Sequence, residues 1–167
     1  VAIWASVMLT FHFLVMLSYY PKGQGLSAII TGGSLMFLMG LIDDIYGLNA
    51  KFKLFIQIAI ATIVILLGVR IEVLYNPFGA NFELGILSYP LPLLWIVGIT
   101  NAINFIDGVD GLAGSIVSIS ALAIGIISLV LNPSIAITPL IAFILMGAMF
   151  SFLTFNYNPA KIFMGDS

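Results

Sequence analysis

The chain has 167 residues, of which 62% are hydrophobic and 7% charged, with a formal net charge of −2 and no cysteine. An average soluble domain is about a quarter charged, so a soluble fold would have too little charge to cover its surface, and the composition reads as membrane protein. The acidic balance excludes a basic nucleic-acid footprint, and the lack of cysteine excludes disulfides, thiolate metal sites and a cysteine nucleophile.

A membrane-spanning helix needs about 20 apolar residues. Val1–Tyr20 is the first such run; Tyr19 and Tyr20 suit the headgroup layer, and no basic n-region marks a cleavable signal. His12, in mid-span, reads as a packed or interhelix-bonded histidine rather than a metal ligand. After a Gly-rich link comes Leu26–Ile42, whose Gly32, Gly33 and Gly40 suit close helix packing. It ends in Asp43-Asp44. A loop, Ile45–Lys53, precedes the third span, Leu54–Val69, with Gln57 one turn in. Arg70–Leu84 reads as an excursion outside the membrane. Arg70-Ile-Glu72-Val alternates like a strand and Asn76-Pro77-Phe78-Gly79 is a turn signal, which predicts a small hairpin. Ile86–Ile103 is the fourth span and Leu112–Leu131 the fifth. Asn132-Pro133-Ser134 is a tight turn, and Ile135–Phe155 is the sixth span. The expected fold class is an all-α membrane protein: a polytopic helical bundle of about six transmembrane helices with a small extracytoplasmic hairpin, as one domain over 1–167. The chain starts with Val and stops at Ser167 after a Gly-Asp pair, so it reads as a fragment of a longer protein.

Between the fourth and fifth spans lies a polar island, Asn101-Ala-Ile-Asn104-Phe-Ile-Asp107-Gly-Val-Asp110-Gly111. Polar groups at a membrane boundary are costly unless they bind something. Six spans alternate sides, which puts Asp43-Asp44, the island and Asp166 on one face. Five of the seven acids thus share a side with Lys51, Lys53 and Lys161, while Lys22 and Arg70 fall opposite. The slight lysine excess names that side cytoplasmic. Five carboxylates with three lysines repel one another unless a cation joins them, and oxygen ligands suit Mg²⁺, which commonly combines one or two carboxylates with substrate phosphates. Phosphate chemistry at the membrane surface is the expectation.

Neighbours on a helix point about 100° apart, so Asp43 and Asp44 cannot do one identical job. Two acids at a helix C-terminus oppose the macrodipole, which favours a functional reading over a solvated helix end. Asn101 and Asn104, three apart, share a face. Gly108 and Gly111 permit an unwound helix end, although Asp110 could simply cap the fifth span. Phe163-Met-Gly165-Asp166 offers an aromatic plate three residues before a carboxylate.

Gly40-Leu-Ile-Asp43-Asp44-Ile-Tyr-Gly-Leu, the island through Gly114, and Asn156-Tyr-Asn-Pro-Ala-Lys161-Ile-Phe163-Met-Gly-Asp166-Ser together resemble the polyprenyl-phosphate N-acetylhexosamine-1-phosphate transferases, over nearly the whole chain. The resemblance implies Mg²⁺-dependent (Mn²⁺ can substitute) transfer of a sugar-1-phosphate from a UDP-sugar to a polyprenyl phosphate with release of UMP. It implies that Asp166 binds the metal and that Asn104 lies near metal and diphosphate. One of Asp43 and Asp44 would deprotonate the lipid phosphate, or act as nucleophile in a two-step route. Asp107 and Asp110 would line the nucleotide end, Asn156 and Phe163 would lie near the uracil, and Asn101 and Lys161 join the substrate-binding set. The related phospho-MurNAc-pentapeptide translocases carry lysine where Gly47 stands and usually threonine where Ile106 stands, which favours the UDP-GlcNAc branch.

The function expected is therefore GlcNAc-1-phosphate transfer from UDP-GlcNAc to undecaprenyl phosphate, at the cytoplasmic face of a bacterial inner membrane, opening cell-envelope polysaccharide synthesis. A homodimer is compatible with it; nucleic acid is not a partner. The nearest rivals are the pentapeptide translocase and sister enzymes using another UDP-N-acetylhexosamine. A cation transporter is the rival of another class, but transporter sites lie near the bilayer midplane, whereas these acids sit at span ends. A non-catalytic scaffold would give the acids no reason to converge.

Overall fold

The computed structural model describes residues 2–16, 25–76, 78–131 and 137–165. Tyr19, Tyr20 and Lys22, Pro77, the Asn132–Ser134 turn with the start of the sixth span, and Asp166 lie outside the described residues. In chain order the described elements are α1 (Ala2–Met16), α2 (Leu26–Tyr46), α3 (Ala50–Leu66), β1 (Val73–Leu74), β2 (Phe82–Glu83), α4 (Pro90–Ile106), α5 (Leu112–Leu131) and α6 (Ile137–Asn156). The helical, polytopic class is as expected. The span count is lower: four stretches, Leu26–Tyr46, Gly85–Ile106, Leu112–Leu131 and Ile137–Asn156, are long and apolar enough to cross a membrane. The described part of α1 has 15 residues and α3 has 17, against about 20 for a span. α3 stops at Leu66 because Gly68, at φ 104°, turns the chain just beyond it.

Two compact units divide the chain, one of residues 24–102 and one of 1–23 with 103–167. In the middle unit α2 packs along α3. A Cβ at Gly32 would fall 2.5 Å from Val64 Cγ2, so the missing side chain is what lets the two helices approach. The turn between them has only three residues. Gly47 adopts φ 63° and donates its N–H to the Asp43 carbonyl at 2.8 Å, a left-handed helix stop open to glycine. Asn49 then caps α3, its Oδ1 accepting the Lys51 N–H at 3.0 Å. The expected loop at 45–53 is thus mostly helix: α2 runs one turn past Ile42, and α3 begins early enough to take Lys51 and Lys53 into its first turn.

The hairpin forms where expected. Val73 lies opposite Glu83 and Leu74 opposite Phe82, and the Leu84 N–H reaches the Glu72 carbonyl at 2.9 Å. The Arg70 guanidinium sits 4.6 Å from the centre of the Tyr89 ring, a cation–π contact that ties the hairpin base to the entry of α4. Pro90 occupies the first position of α4, where its missing N–H is no loss.

In the other unit α5 and α1 both pack along α6. The ring of Phe143 would lie 2.8 Å from a Cβ at Gly125, again a close approach that a small residue makes room for. Outward faces are apolar in both units; Trp95, Phe105, Ile119, Val130 and Phe150 are all exposed. Helices apolar all round suit a lipid surround. Against that background four buried polar side chains stand out among the described residues: Gln57, Ser88, Ser118 and Asn156. Ser118 satisfies itself by donating to the Gly114 carbonyl at 2.7 Å. Gln57 and Asn156 instead reach groups far away in sequence.

Candidate active site

In the middle unit the two acids of the pair differ in surroundings. Asp43 accepts the Leu48 N–H through Oδ1 and the Lys53 ammonium through Oδ2, both at 2.7 Å. Its side chain is 9% exposed and that of Lys53 16%. Asp44, one residue on, is exposed. The 100° step along α2 thus turns one carboxylate into the α2–α3 turn and leaves its neighbour on the surface, so the two carboxylates have different surroundings.

Lys53 as the partner of Asp43 was not legible from spacing alone. Ten residues separate them, and they meet only because the turn is three residues long. Gly47 and Asn49, a helix stop followed by a helix start, were the signal that could have found it.

One turn beyond Lys53 on α3, Gln57 is fully buried and accepts the Asn101 Nδ2–H through Oε1 at 2.6 Å. Asn101, exposed on α4, also donates to the Val97 carbonyl at 2.8 Å. Gln57 Nε2 is buried without a partner among the described residues. Leaving a buried amide donor unpaired costs about 1–3 kcal/mol.

In the other unit the remaining described candidates, Asn104, Asp107, Asp110, Asn156, Lys161 and Phe163, lie on the end of α4, the turn before α5, the end of α6 and the loop after it. α4 ends at Ile106, and the Asp107 N–H still reaches the Ile103 carbonyl at 3.1 Å. Asp110 Oδ2 accepts the Ala160 N–H at 3.1 Å and the Asn158 Nδ2–H at 3.3 Å. Asp110 therefore ties the turn before α5 to the loop after α6. Asn156 makes the reciprocal tie: its Oδ1 accepts the Gly111 N–H at 3.0 Å, and its Nδ2 donates to the Ile162 carbonyl at 2.8 Å. Gly111 itself needs its positive φ of 71°, and a Cβ there would come within 3.6 Å of Tyr157. Asn156 is 4% exposed, so its place is beneath the loop, as a clasp that shapes it. The Asn104 side chain makes no hydrogen bond among the described residues and is half-buried. Lys161 is exposed, with its backbone N–H fixed to the Phe155 carbonyl at 2.8 Å, and Phe163 presents its ring to the outside, 75% exposed. An amide, an aromatic face, a cation and carboxylates can hold a base and a phosphate.

Among the described residues no three His, Asp or Glu side chains gather around one point. The donor set available is carboxylate and amide oxygen without thiolate, the chemistry that suits a hard cation which keeps several of its waters.

Residues 26–167 match the family model described as glycosyl transferase family 4. The chain belongs to that family. It is 39% identical over 149 residues to a probable undecaprenyl-phosphate N-acetylglucosaminyl 1-phosphate transferase of Bacillus subtilis, covering 85% of this chain and 39% of the relative. A decaprenyl-phosphate N-acetylglucosaminephosphotransferase of Mycolicibacterium smegmatis is 36% identical over 176 residues, with 100% of this chain and 43% of the relative covered. A phospho-N-acetylmuramoyl-pentapeptide-transferase of Streptococcus equi subsp. zooepidemicus is also 36% identical, over 98% of this chain and 52% of the relative. This family member thus spans roughly half or less of the relatives it matches. Its apolar helices and its kinship with transferases of lipid-linked acceptors make it a multi-pass integral membrane protein.

Proposed function

We propose that the protein transfers GlcNAc-1-phosphate from UDP-GlcNAc to a polyprenyl phosphate, releasing UMP, at the cytoplasmic face of the inner membrane. What carries the reading is the kinship with two transferases of polyprenyl-phosphate acceptors over 85% and 100% of this chain. The division of the acid pair supports it, since it leaves one reachable carboxylate at a helix end.

The reaction is a displacement at the β-phosphorus of the UDP-sugar. An oxygen of the lipid phosphate forms the new P–O bond, the bond to the bridging oxygen breaks, and UMP leaves with the electron pair. Phosphoryl transfer is chiefly positioning and charge neutralisation. Asp44 takes the proton from the lipid phosphate. Asp43, held by Lys53 and the Leu48 N–H, fixes the turn that presents Asp44. Phe163 stacks on the uracil, Asp107 and Asp110 line the nucleotide end, and Lys161 meets phosphate charge. Asp166 and Asn104 would hold a magnesium ion, which would supply charge neutralisation to the phosphates. The acceptor's apolar tail explains a site at the ends of spanning helices.

The test is transfer of radiolabel from UDP-GlcNAc to undecaprenyl phosphate in membranes carrying the full-length protein, with Mg²⁺ and with EDTA. Magnesium-dependent lipid-linked product with UMP release is expected. UDP-MurNAc-pentapeptide as the preferred donor would move the reading to the translocase branch. Folded, inserted protein that transfers from neither donor would move it to a cation transporter.

A further inference from the structure

We propose that Gln57 is a positioning residue: it fixes the Asn101 amide so that Asn101 offers only its carbonyl oxygen, which accepts a hydrogen bond from a hydroxyl or N–H of the nucleotide sugar. The proposal rests on the transferase reading for the identity of that ligand. An asparagine amide has two N–H donors and one carbonyl acceptor. Both donors of Asn101 are engaged, at 2.6 Å with Gln57 Oε1 and at 2.8 Å with the Val97 carbonyl. The acceptor, on an exposed residue, has no partner among the described residues. Asn101 therefore cannot grip phosphate oxygens, which need a donor. It can take a sugar or ribose hydroxyl or the N-acetyl N–H, groups that a UDP-sugar carries in number, whereas a polyprenyl phosphate has at most the one P–OH that Asp44 deprotonates.

Gln57 has no comparable outlet. It is fully buried, and its own N–H groups meet nothing among the described residues. A methionine of similar length would fill the same space without an orphaned donor. The amide at this place serves Asn101: without the acceptor at Oε1, only the Val97 carbonyl still holds the Asn101 amide, and a turn about its terminal torsion then shows the NH₂ in place of the oxygen more often.

The experiment compares Gln57→Met, Asn101→Ala, the double variant and Gln57→Glu in the full-length protein. It reads KM for UDP-GlcNAc, KM for undecaprenyl phosphate, the Mg²⁺ midpoint, and calorimetric binding of UDP-GlcNAc without the lipid. Loss of one oriented hydrogen bond predicts a rise of about three- to tenfold in KM and Kd for UDP-GlcNAc in Gln57→Met. KM for the lipid and the magnesium midpoint stay put. The double variant is no worse than Asn101→Ala, and Gln57→Glu, which keeps an oxygen acceptor, recovers to within about twofold of wild type. Additive losses, or a shift confined to the lipid or magnesium, overturn the proposal. If Gln57→Met does not accumulate in membranes, Asn101→Ala decides alone: unchanged affinity for UDP-GlcNAc ends the argument. Wild-type protein that transfers normally beside unaffected variants sinks only this inference. Wild-type protein that neither binds nor transfers UDP-GlcNAc sinks it together with the transferase reading.

Discussion

Replacing Lys53 by Met removes the cation 2.7 Å from Asp43 while keeping an unbranched apolar stem on the first turn of α3. Fully exposed ion pairs contribute about 0–1 kcal/mol, and breaking a fully buried one costs about 3–5 kcal/mol. With side chains 9% and 16% exposed, this pair lies between those limits, and a hydrogen bond between charged groups contributes about 1.5–3 kcal/mol net. The expected loss is therefore about 2 kcal/mol, on the order of a thirtyfold change in the unfolding equilibrium. The Leu48 N–H still holds Oδ1, so the turn weakens without dissolving. A double-mutant cycle with Asp43→Asn, read by denaturant unfolding of the detergent-solubilised full-length protein, isolates the pair. Its coupling should be on the order of 2 kcal/mol, well above the few tenths within which independent sites add. A Lys53→Met variant as stable as wild type, or a cycle that closes additively, would refute a structural role for the pair.

Asp44→Asn should lower turnover by at least about a hundredfold, the usual loss for a proton acceptor, with membrane insertion retained; wild-type turnover would remove it from the reaction. Asn156→Ala leaves the Gly111 N–H and the Ile162 carbonyl without their partner and should destabilise by about 2–4 kcal/mol. Limited proteolysis should then cut within 157–165 sooner than in wild type, and an unaltered cleavage pattern would count against the clasp. Asp166→Asn and EDTA should each abolish transfer, with added Mg²⁺ restoring only the EDTA-treated wild type; normal activity of Asp166→Asn at unchanged magnesium dependence would take Asp166 out of the metal site.

The helical class, α5 and the hairpin could be read directly from apolar runs and turn residues, because lipid selects for uninterrupted hydrophobic stretches and Asn76 to Gly79 breaks one. The beginning of α3 could not. Hydropathy discounts Lys51 and Lys53, whereas the helix starts where Asn49 supplies a cap, a local hydrogen bond to which apolar averaging is blind. The same averaging carried the third span on to Val69, whereas α3 stops at Leu66. At the site, sequence named the candidates but not their hydrogen-bond partners. Asn156 reads as a substrate group beside Phe163; its burial and its bonds to Gly111 and Ile162 depend on α5 and α6 lying side by side, which no spacing rule encodes. Gln57 was visible as a polar residue in an apolar helix, yet its partner Asn101 lies 44 residues away.

The three-residue turn from Gly47 to Asn49 also sets what an approaching anion feels. It brings the last turn of α2 and the first of α3 together, and with them Asp43, Asp44, Lys51 and Lys53. Two negative and two positive charges sum to zero, although the chain as a whole carries −2. Under the proposed reaction, a lipid phosphate drifting along the membrane, or a diphosphate arriving from water, would meet a dipolar patch at this end of the helical pair rather than a repelling one. Its rate of encounter there should depend little on ionic strength, since screening acts on net fields over about 10 Å at 0.1 M salt. Removing either lysine tips the patch to −1 and makes capture of the same ligand slower in dilute buffer than in salt.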